Sequence, residues 1–471
     1  MRDSLLRRYH KLPPLLRSAA ATARGGYLRI WRYGSRTDSL RDEALTRDRW
    51  TPQEWKDWRE ERLAYLLHRA ATRVPYYRAM WAERRRRGDA SSWELLKNWP
   101  LLEKEVLREN PTAFIADDRS HLRMFHDHTS GTSGKSLDLW LSRDTVQGWY
   151  ALFEARCRHW NGVSRHDRWA IIGGQLVAPV EQSEPPFWVW NASLHQLYLS
   201  AYHLAPRHAA GYFDALRRYE VRYVVGYPSA IHALAREALA QELRVPRLEF
   251  VLANAEPVLE QQRREIEEAF GCPVRETYGM AEIVAGASEC EHGRMHLWPE
   301  LGELEVLDEN RPTHMDRAGE LVCTGLLNAD MPLIRYRVGD RGAIASSDVP
   351  CSCGRLLPIL SGVDGRVDDV LYTADGRKVG RLDPIFKSRL PIREAQIVQE
   401  ALDIIRVYYV PTDGFSGADG QSLVDRIRER MGPVKVLLEE VDSIPRTANG
   451  KFRAVVCNLS AQERMRAQAH R

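Results

Sequence analysis

No stretch of the 471-residue chain approaches the roughly 20 consecutive apolar residues that a helix needs to cross a bilayer; the most apolar runs, such as 223–225 and Phe250–Ala253, are strand-sized. Cysteine is scarce. Seven is an odd and modest number for this length, which argues against a disulfide framework and for reduced thiols or metal ligands. Excess charge is small as well: 68 Lys+Arg against 64 Asp+Glu leaves +4, too little to point to nucleic acid. The N-terminus opens basic but meets Pro13-Pro14 and more arginines where a secretory leader would have an apolar core, so the expected location is the cytoplasm. What is present is globular material: 44% hydrophobic residues and a length that implies two to four structural units.

Residues 1–50 read as a basic helical arm, with Arg7, Arg8, Arg17, Arg24, Arg29 and Arg32 set among leucines and aromatics at helical spacing. Such a segment is either a solvated helix or an amphipathic one resting on anionic lipid or a partner protein. From 51 to 111 the pattern stays helical, with Trp55, Leu66, Leu67, Trp93 and Leu96, and breaks at Pro75, Pro100 and Pro111. Short β-rich runs at 168–172, 223–225, 248–253 and 274–277 then alternate with helical stretches at 230–240 and 258–270, the grammar of α/β layers. Runs at 302–307, 319–325 and 342–345 read as antiparallel strands, and a Gly/Asp-rich stretch at 361–369 precedes a smaller unit. The expected architecture is α/β: a large N-terminal layered α/β domain with a β-rich subdomain (51–365) and a small mobile C-terminal α+β domain (366–471).

The strongest local signal is Thr129-Ser130-Gly131-Thr132-Ser133-Gly134-Lys135-Ser136. Glycines let backbone N–H groups curl around an anion, hydroxyls add donors and the lysine adds charge, so a phosphate-gripping loop follows. It is not a P-loop: with Gly134-Lys135-Ser136 as its end, the first glycine belongs at 129, where Thr129 stands. Four further segments follow in order: Tyr278-Gly279-Met-Ala-Glu282, Tyr336-Arg-Val-Gly-Asp340, Gly365-Arg366-Val-Asp368-Asp369 and Pro445-Arg-Thr-Ala-Asn-Gly-Lys451.

With these five motifs the chain resembles the adenylate-forming superfamily from about residue 120 to 455. Within it the chain is most similar to the phenylacetate–CoA ligase-like branch, including members met in capsular polysaccharide clusters. The resemblance implies ATP-dependent activation of a carboxylic acid as an acyl-adenylate, with release of pyrophosphate, then transfer to a thiol. Coenzyme A is the acceptor implied first; a carrier-protein thiol or an amine stays open. It further implies that residues 129–135 hold the β- and γ-phosphates, Glu282 binds Mg²⁺, Tyr278 stacks on adenine, Gly279 belongs to the nucleotide site, and Asp340 accepts from both ribose hydroxyls. Arg366 would lie close to ribose or phosphate, Asp368 would be the hinge, and Lys451 would bridge the carboxylate and the α-phosphate. Glu256, in Ala253-Asn-Ala-Glu256-Pro257, falls in a loop similar to the family's nucleotide-side loop. The family's hydroxyl before the metal-binding glutamate is missing, replaced by Ala281.

Cys290-Glu-His292-Gly-Arg-Met-His296 and Cys351-Ser-Cys353-Gly354 offer a second constellation. A Cys-x-Cys-Gly knuckle presents two thiolates, and one cysteine with one histidine would complete a structural Zn²⁺ set, His296 before His292. Cys157, Cys272, Cys323 and Cys457 have no spaced partners and read as core thiols. An acyl pocket is expected between Phe187 and Tyr227, walled by Tyr198, Tyr202 and Tyr227; His126, His128, His195 and His203 either line an acyl pocket or, the favoured reading, are surface or satisfied core residues. The competing class is a zinc-stapled binding or scaffold protein of the same fold, and no feature names the acid.

Overall fold

The first helices follow from their caps. In the computed structural model, which describes residues 8–128, 137–179, 181–346, 350–366, 371–373, 378–379, 390–446 and 452–469, α1 (Pro14–Arg32) opens on a proline. Its missing N–H is harmless in a first turn. After α2 (Thr37–Arg47), α3 (Pro52–Arg73) begins with a capping box in which Thr51 Oγ1 accepts from Glu54 N and Glu54 Oε2 accepts from Thr51 N at 2.7 Å. Prolines then divide α4 (Pro75–Arg86) and α5 (Lys104–Glu109) from it, as their spacing predicts.

The hairpin β1 (Phe125–His128) and β2 (Asp138–Leu141) leads through α6 (Arg143–Phe153) into the main sheet. Its elements are β3 (Trp169–Gly173), β4 (Trp188–Asn191), β5 (Gln196–Ser200), α7 (Ala209–Arg218), β6 (Tyr223–Gly226), α8 (Pro228–Ala240), β7 (Phe250–Ala253), α9 (Glu260–Phe270), β8 (Val274–Gly279), β9 (Gly286–Glu289) and β10 (Met295–Leu297). Among the described residues the strand order is β10-β9-β8-β7-β6-β3-β5-β4. β5, β3, β6, β7 and β8 run parallel. β6 and β7 are buried along their whole length, as strands covered on both faces must be. Gly226 closes β6 because a Cβ there would stand 2.2 Å from the Ile172 carbonyl oxygen.

A five-stranded antiparallel sheet follows, with β11 (Gly302–Asp308), β12 (Arg311–Pro312), β13 (Gly319–Gly325), β14 (Tyr336–Ile344) and β15 (Leu360–Arg366) in the order β12-β11-β13-β14-β15. Here the expectation needs correction: β14 starts six residues before 342. Gly339, at φ 84°, and Asp340 look like a turn in sequence, yet the strand carries them through as an irregularity in its register. The C-terminal unit has β16 (Leu371–Tyr372), β17 (Lys378–Val379), β18 (Ile392–Ala401), β19 (Ile404–Pro411), α10 (Gly417–Met431), β20 (Lys435–Glu440), β21 (Val455–Cys457) and α11 (Ala461–Ala469). Its own apolar core gathers Leu371, Ile397, Ile405, Val407, Leu423 and Ile427.

The basic arm is helical but not simply solvated. Strand β4 is the sheet's open edge, and α1 covers it: Ser18 Oγ accepts from Trp190 N at 3.2 Å and Thr22 Oγ1 from Ala192 N at 3.1 Å. Gly25 allows the approach, since a Cβ there would lie 2.0 Å from Asn191 Oδ1. Further on, Asp48 accepts from the fully buried Arg156 at 2.9 Å, while the same guanidinium forks onto Glu300 at 2.7 and 2.9 Å. A buried cation with two carboxylates meets the requirement that an interior charge be paired. No helix of the described residues is long and apolar enough to cross a membrane.

Candidate functional site

The carboxyl ends of the parallel strands open on one side of the sheet, where α/β folds bind their ligands. Residues just beyond β6, β7 and β8 supply Tyr227, Glu256 and Glu282, and β8 ends in Tyr278 and Gly279. The Tyr278 hydroxyl donates to Asp340 Oδ2 at 2.8 Å, so a residue of the main sheet and one of the antiparallel sheet meet across 62 positions of chain. Asp340 also pairs in register with Arg366 on β15. Burial, then the neighbouring Asp340 charge, holds the Tyr278 phenol well above its ordinary value, so it stays a neutral donor.

Glu282 lies one turn away and is 6% exposed. Its Oε1 accepts from Tyr336 OH and from Lys104 Nζ, each at 2.9 Å. Burial and the adjacent carboxylate raise the Tyr336 hydroxyl, which therefore donates at neutral pH. Lys104 reaches Glu282 because Leu102 forms a parallel bridge to Tyr336, pinning the start of α5 to β14. The motifs gave Lys104 and Tyr336 no role: Tyr336 was visible inside one of them, whereas nothing in the sequence around Lys104 marks it. Cys323, fully buried near Asp340 and Glu282, is a core thiol pushed up by its burial.

Glu256 turns away from β8 toward the C-terminal unit. Its Oε1 accepts from Phe452 N at 2.8 Å and its Oε2 from Ser229 N at 3.2 Å. Loss of water raises its carboxyl pKa despite these two donors and the nearby Arg446. Arg446 lies over the Phe452 ring at 4.6 Å and pairs with Glu394. Together with Ser229, His232, Arg236 and Arg393 these residues line a cleft between α8 and the small unit. Three non-glycine residues with left-handed backbones adjoin the key side chains: Ala255 (φ 64°), Ile283 (φ 54°) and Arg335 (φ 48°). Such conformations cost about 1–3 kcal/mol each and gather where side chains must be aimed.

Thr129, Ser130, Gly131, Thr132, Ser133, Gly134, Lys135, Asp368, Lys451 and the Arg366 side chain lie outside the described residues. Of the expected pocket walls, Tyr202 and Tyr227 meet at Gly174, where Tyr202 OH donates to the carbonyl at 3.3 Å. Tyr198 does not join them. It sits mid-strand in β5 among Arg24, Arg32 and Asn191, on the side covered by α1. His203 is a satisfied core residue, bonded to Ser200 Oγ at 2.7 Å and Pro179 O at 2.9 Å; His126 stacks on Trp140, and His195 bonds a backbone carbonyl.

The second constellation closes. The ligand atoms of Cys290, His296, Cys351 and Cys353 all lie within 4.8 Å of one another. Tetrahedral zinc at about 2.3 Å from sulfur and about 2.05 Å from nitrogen requires S···S near ~3.8 Å and S···N near ~3.6 Å. The Cys290–Cys351 sulfurs stand 3.7 Å apart, and Cys353 Sγ lies 3.3 Å from His296 Nε2. The other ring nitrogen of His296 faces the Leu357 carbonyl at 3.3 Å, which fixes Nε2 as the inward atom. His292 is exposed and outside this group, so the choice between the histidines falls on His296. Leu297 N donates to Pro358 O at 2.8 Å beside it, so the four ligands straddle the junction of β10 with the segment entering β15.

Comparison with known proteins bears on the family and the fold. Residues 185–330 match the AMP-binding enzyme family and residues 371–458 the CapK C-terminal domain. Protein CapK of Staphylococcus aureus is 25% identical over 369 residues, covering 76% of this chain and 80% of that protein. The phenylacetate–coenzyme A ligase of Thermus thermophilus is 26% identical over 241 residues, 44% of this chain and 54% of that one. In fold, a 2-hydroxyisobutyryl-CoA ligase in its postadenylation state superposes with a TM-score of 0.67 at 23% identity, over 88% of this chain and 91% of that one. Residues 185–330 thus carry an AMP-binding enzyme domain and residues 371–458 a CapK C-terminal domain, and the chain as a whole is similar to CapK and to the phenylacetate–CoA ligases.

Proposed function

We propose that the protein activates a small carboxylic acid with ATP and passes the acyl group to a thiol, coenzyme A first among the candidates. The observation that carries this reading is the junction of Tyr278, Asp340, Glu282 and Tyr336 at the carboxyl end of β8; just beyond β7, Glu256 binds the backbone of Phe452, the residue after Lys451. In the first half-reaction the substrate carboxylate attacks the α-phosphorus and pyrophosphate leaves; in the second a thiol sulfur attacks the carbonyl carbon and AMP leaves. Negative charge gathers in the first step, so fixed cations and donors must meet it.

Asp340 supplies two acceptor oxygens for the ribose hydroxyls, and its bond to Tyr278 holds the ring and the acceptor in one arrangement. Glu282 is the Mg²⁺ ligand, a hard oxygen donor for a hard cation that neutralises phosphate charge when bound. Tyr336 orients that carboxylate, and the Lys104 ammonium beside it supplies positive charge. Lys451 contributes the charge between carboxylate and α-phosphate. Zinc at Cys290, His296, Cys351 and Cys353 is structural, since four protein ligands leave no open position. Arg236, Arg393 and Arg446 in the interdomain cleft support an acceptor that carries phosphates, as coenzyme A does.

ATP–pyrophosphate exchange across a panel of aryl and short aliphatic acids tests the first step, and thioester trapping with coenzyme A the second. One or a few acids should drive exchange. Lys451→Ala should suppress it at least 100-fold while changing transfer from a synthetic acyl-adenylate less than threefold. Equal loss of both half-reactions would remove the role assigned to Lys451, and a flat response to every acid would favour a binding protein.

A further inference from the structure

Helix α1 has two faces. Advancing about 100° per residue from Leu15, the buried Arg17, Leu28 and Gly25 fall near 200°, 220° and 280°, the side that caps β4. Leu15, Leu16, Ala19, Ala23, Tyr27 and Ile30 fall in an arc of about 120° on the opposite side. The large members of this arc face water: Leu15 is 85% exposed, Leu16 52%, Tyr27 46% and Ile30 62%. Arg24 and Arg29, both exposed, fall between the two faces, one on each flank.

Charge along the segment is one-sided. Between Asp3 and Asp38 the chain has Arg7, Arg8, Lys11, Arg17, Arg24, Arg29, Arg32 and Arg36 and no Asp or Glu. Arg17 is turned inward onto Gln182 and Arg32 lies over Tyr150, whereas Arg8, Lys11, Arg24, Arg29 and Arg36 are exposed. A whole chain of net +4 thus concentrates cations around one apolar stripe. The docked side is anchored through the polar groups of Arg17, Ser18 and Thr22, with Leu28 the one large apolar side chain buried there, whereas the outward face is apolar, unlike a helix recruited only to complete a core.

We propose that this face of α1 is a docking surface for an anionic membrane, the helix lying in the plane of the interface with its apolar arc in the lipid and the flanking arginines at the phosphate level. An apolar arc alone would suit any greasy partner; an arc bordered on both flanks by cations, with no acid over 34 residues of chain, fits a surface of uniform negative charge. The fold positions the helix for this, because Ser18 and Thr22 anchor its other side to the edge of the main sheet and keep the arc outward.

Sedimentation of the full chain with phosphatidylcholine vesicles containing 30% phosphatidylglycerol, against pure phosphatidylcholine, tests the proposal. Binding should favour the anionic vesicles at least tenfold and weaken as salt rises. Leu15→Glu with Ile30→Glu should reduce partitioning at least tenfold, and Arg24→Glu with Arg29→Glu should abolish the preference for phosphatidylglycerol, with circular dichroism and melting unchanged. Should the double variants perturb the melt, Leu16→Ser alone gives the same test with a smaller expected loss, at least threefold. The proposal is overturned by equal binding of wild type and variants, by indifference to phosphatidylglycerol, or by self-association through this face without vesicle binding.

Discussion

The four-ligand cluster gives the sharpest quantitative expectation. Removing Cys353, the most exposed of the set, leaves Cys290, His296 and Cys351 converging on a centre that three ligands hold less tightly. Without an ion the ligands gain little from one another, for the 3.7 Å between the Cys290 and Cys351 sulfurs is a tetrahedral edge and far from the roughly 2.05 Å of a disulfide. A ligand bound only to the folded state at 1,000 times its Kd contributes about 4 kcal/mol. At about 2 °C per kcal/mol for a unit of this size, the metal accounts for about 8 °C of Tm. Protein purified from zinc-replete medium should carry one zinc per chain by mass spectrometry of the metal, and a strong chelator or Cys353→Ser should lower Tm by that amount. His292→Ala should keep both metal and Tm, whereas His296→Ala should lose both. Metal-free protein from zinc-replete cells, or a Tm indifferent to chelator and to Cys353→Ser, would refute the reasoning; loss of zinc in His292→Ala would refute the assignment of the histidine.

Asp340→Asn removes an ionised acceptor, worth about 1.5–3 kcal/mol per charge-assisted bond, so KM for ATP should rise about 10–100-fold in pyrophosphate exchange. Tyr278→Phe keeps the ring and should cost less than tenfold; the opposite ranking would reassign the ribose acceptor. Glu256 links domain docking to pH. Its pKa is raised in the docked arrangement, so its contribution to docking is full below the ordinary Glu value of about 4.3 and is lost as pH rises through the raised pKa. Fluorescence energy transfer between labels on the two domains should report closing across that window as pH falls, and Glu256→Gln should flatten the response. A titration unchanged by Glu256→Gln would exclude this carboxylate as its source.

Much of the molecule was legible in order along the chain. Alternating β-rich and helical runs declared the α/β layers, because strands covered on both faces must be short apolar runs. Five ordered motifs singled out Glu282, Tyr278 and Asp340, and the structure joins Tyr278 to Asp340 and Glu282 to Tyr336. Element edges were harder: β14 begins at Tyr336, and Gly339 disguised it as a turn because a residue with φ 84° inside a strand is tolerated only where a neighbouring strand absorbs the irregularity. The arm illustrates the same limit, since its basic helix was visible while its anchorage through Ser18 and Thr22 depends on the open edge of β4, 170 residues away.

The amino-acid sequence by itself determined the chemistry on offer: which side chains can grip phosphate, accept from a ribose, bind a hard cation or present thiolates, since these follow from residue type and local spacing. Only the tertiary structure decided who meets whom. It chose His296 over His292, turned Tyr198 from the expected pocket, brought the unmarked Lys104 to Glu282, and bound Glu256 to the backbone beside Lys451. The reason is physical. Those contacts join residues between about 57 and 196 positions apart, and a side chain's partner at such range is set by sheet order and strand register, which no local pattern encodes.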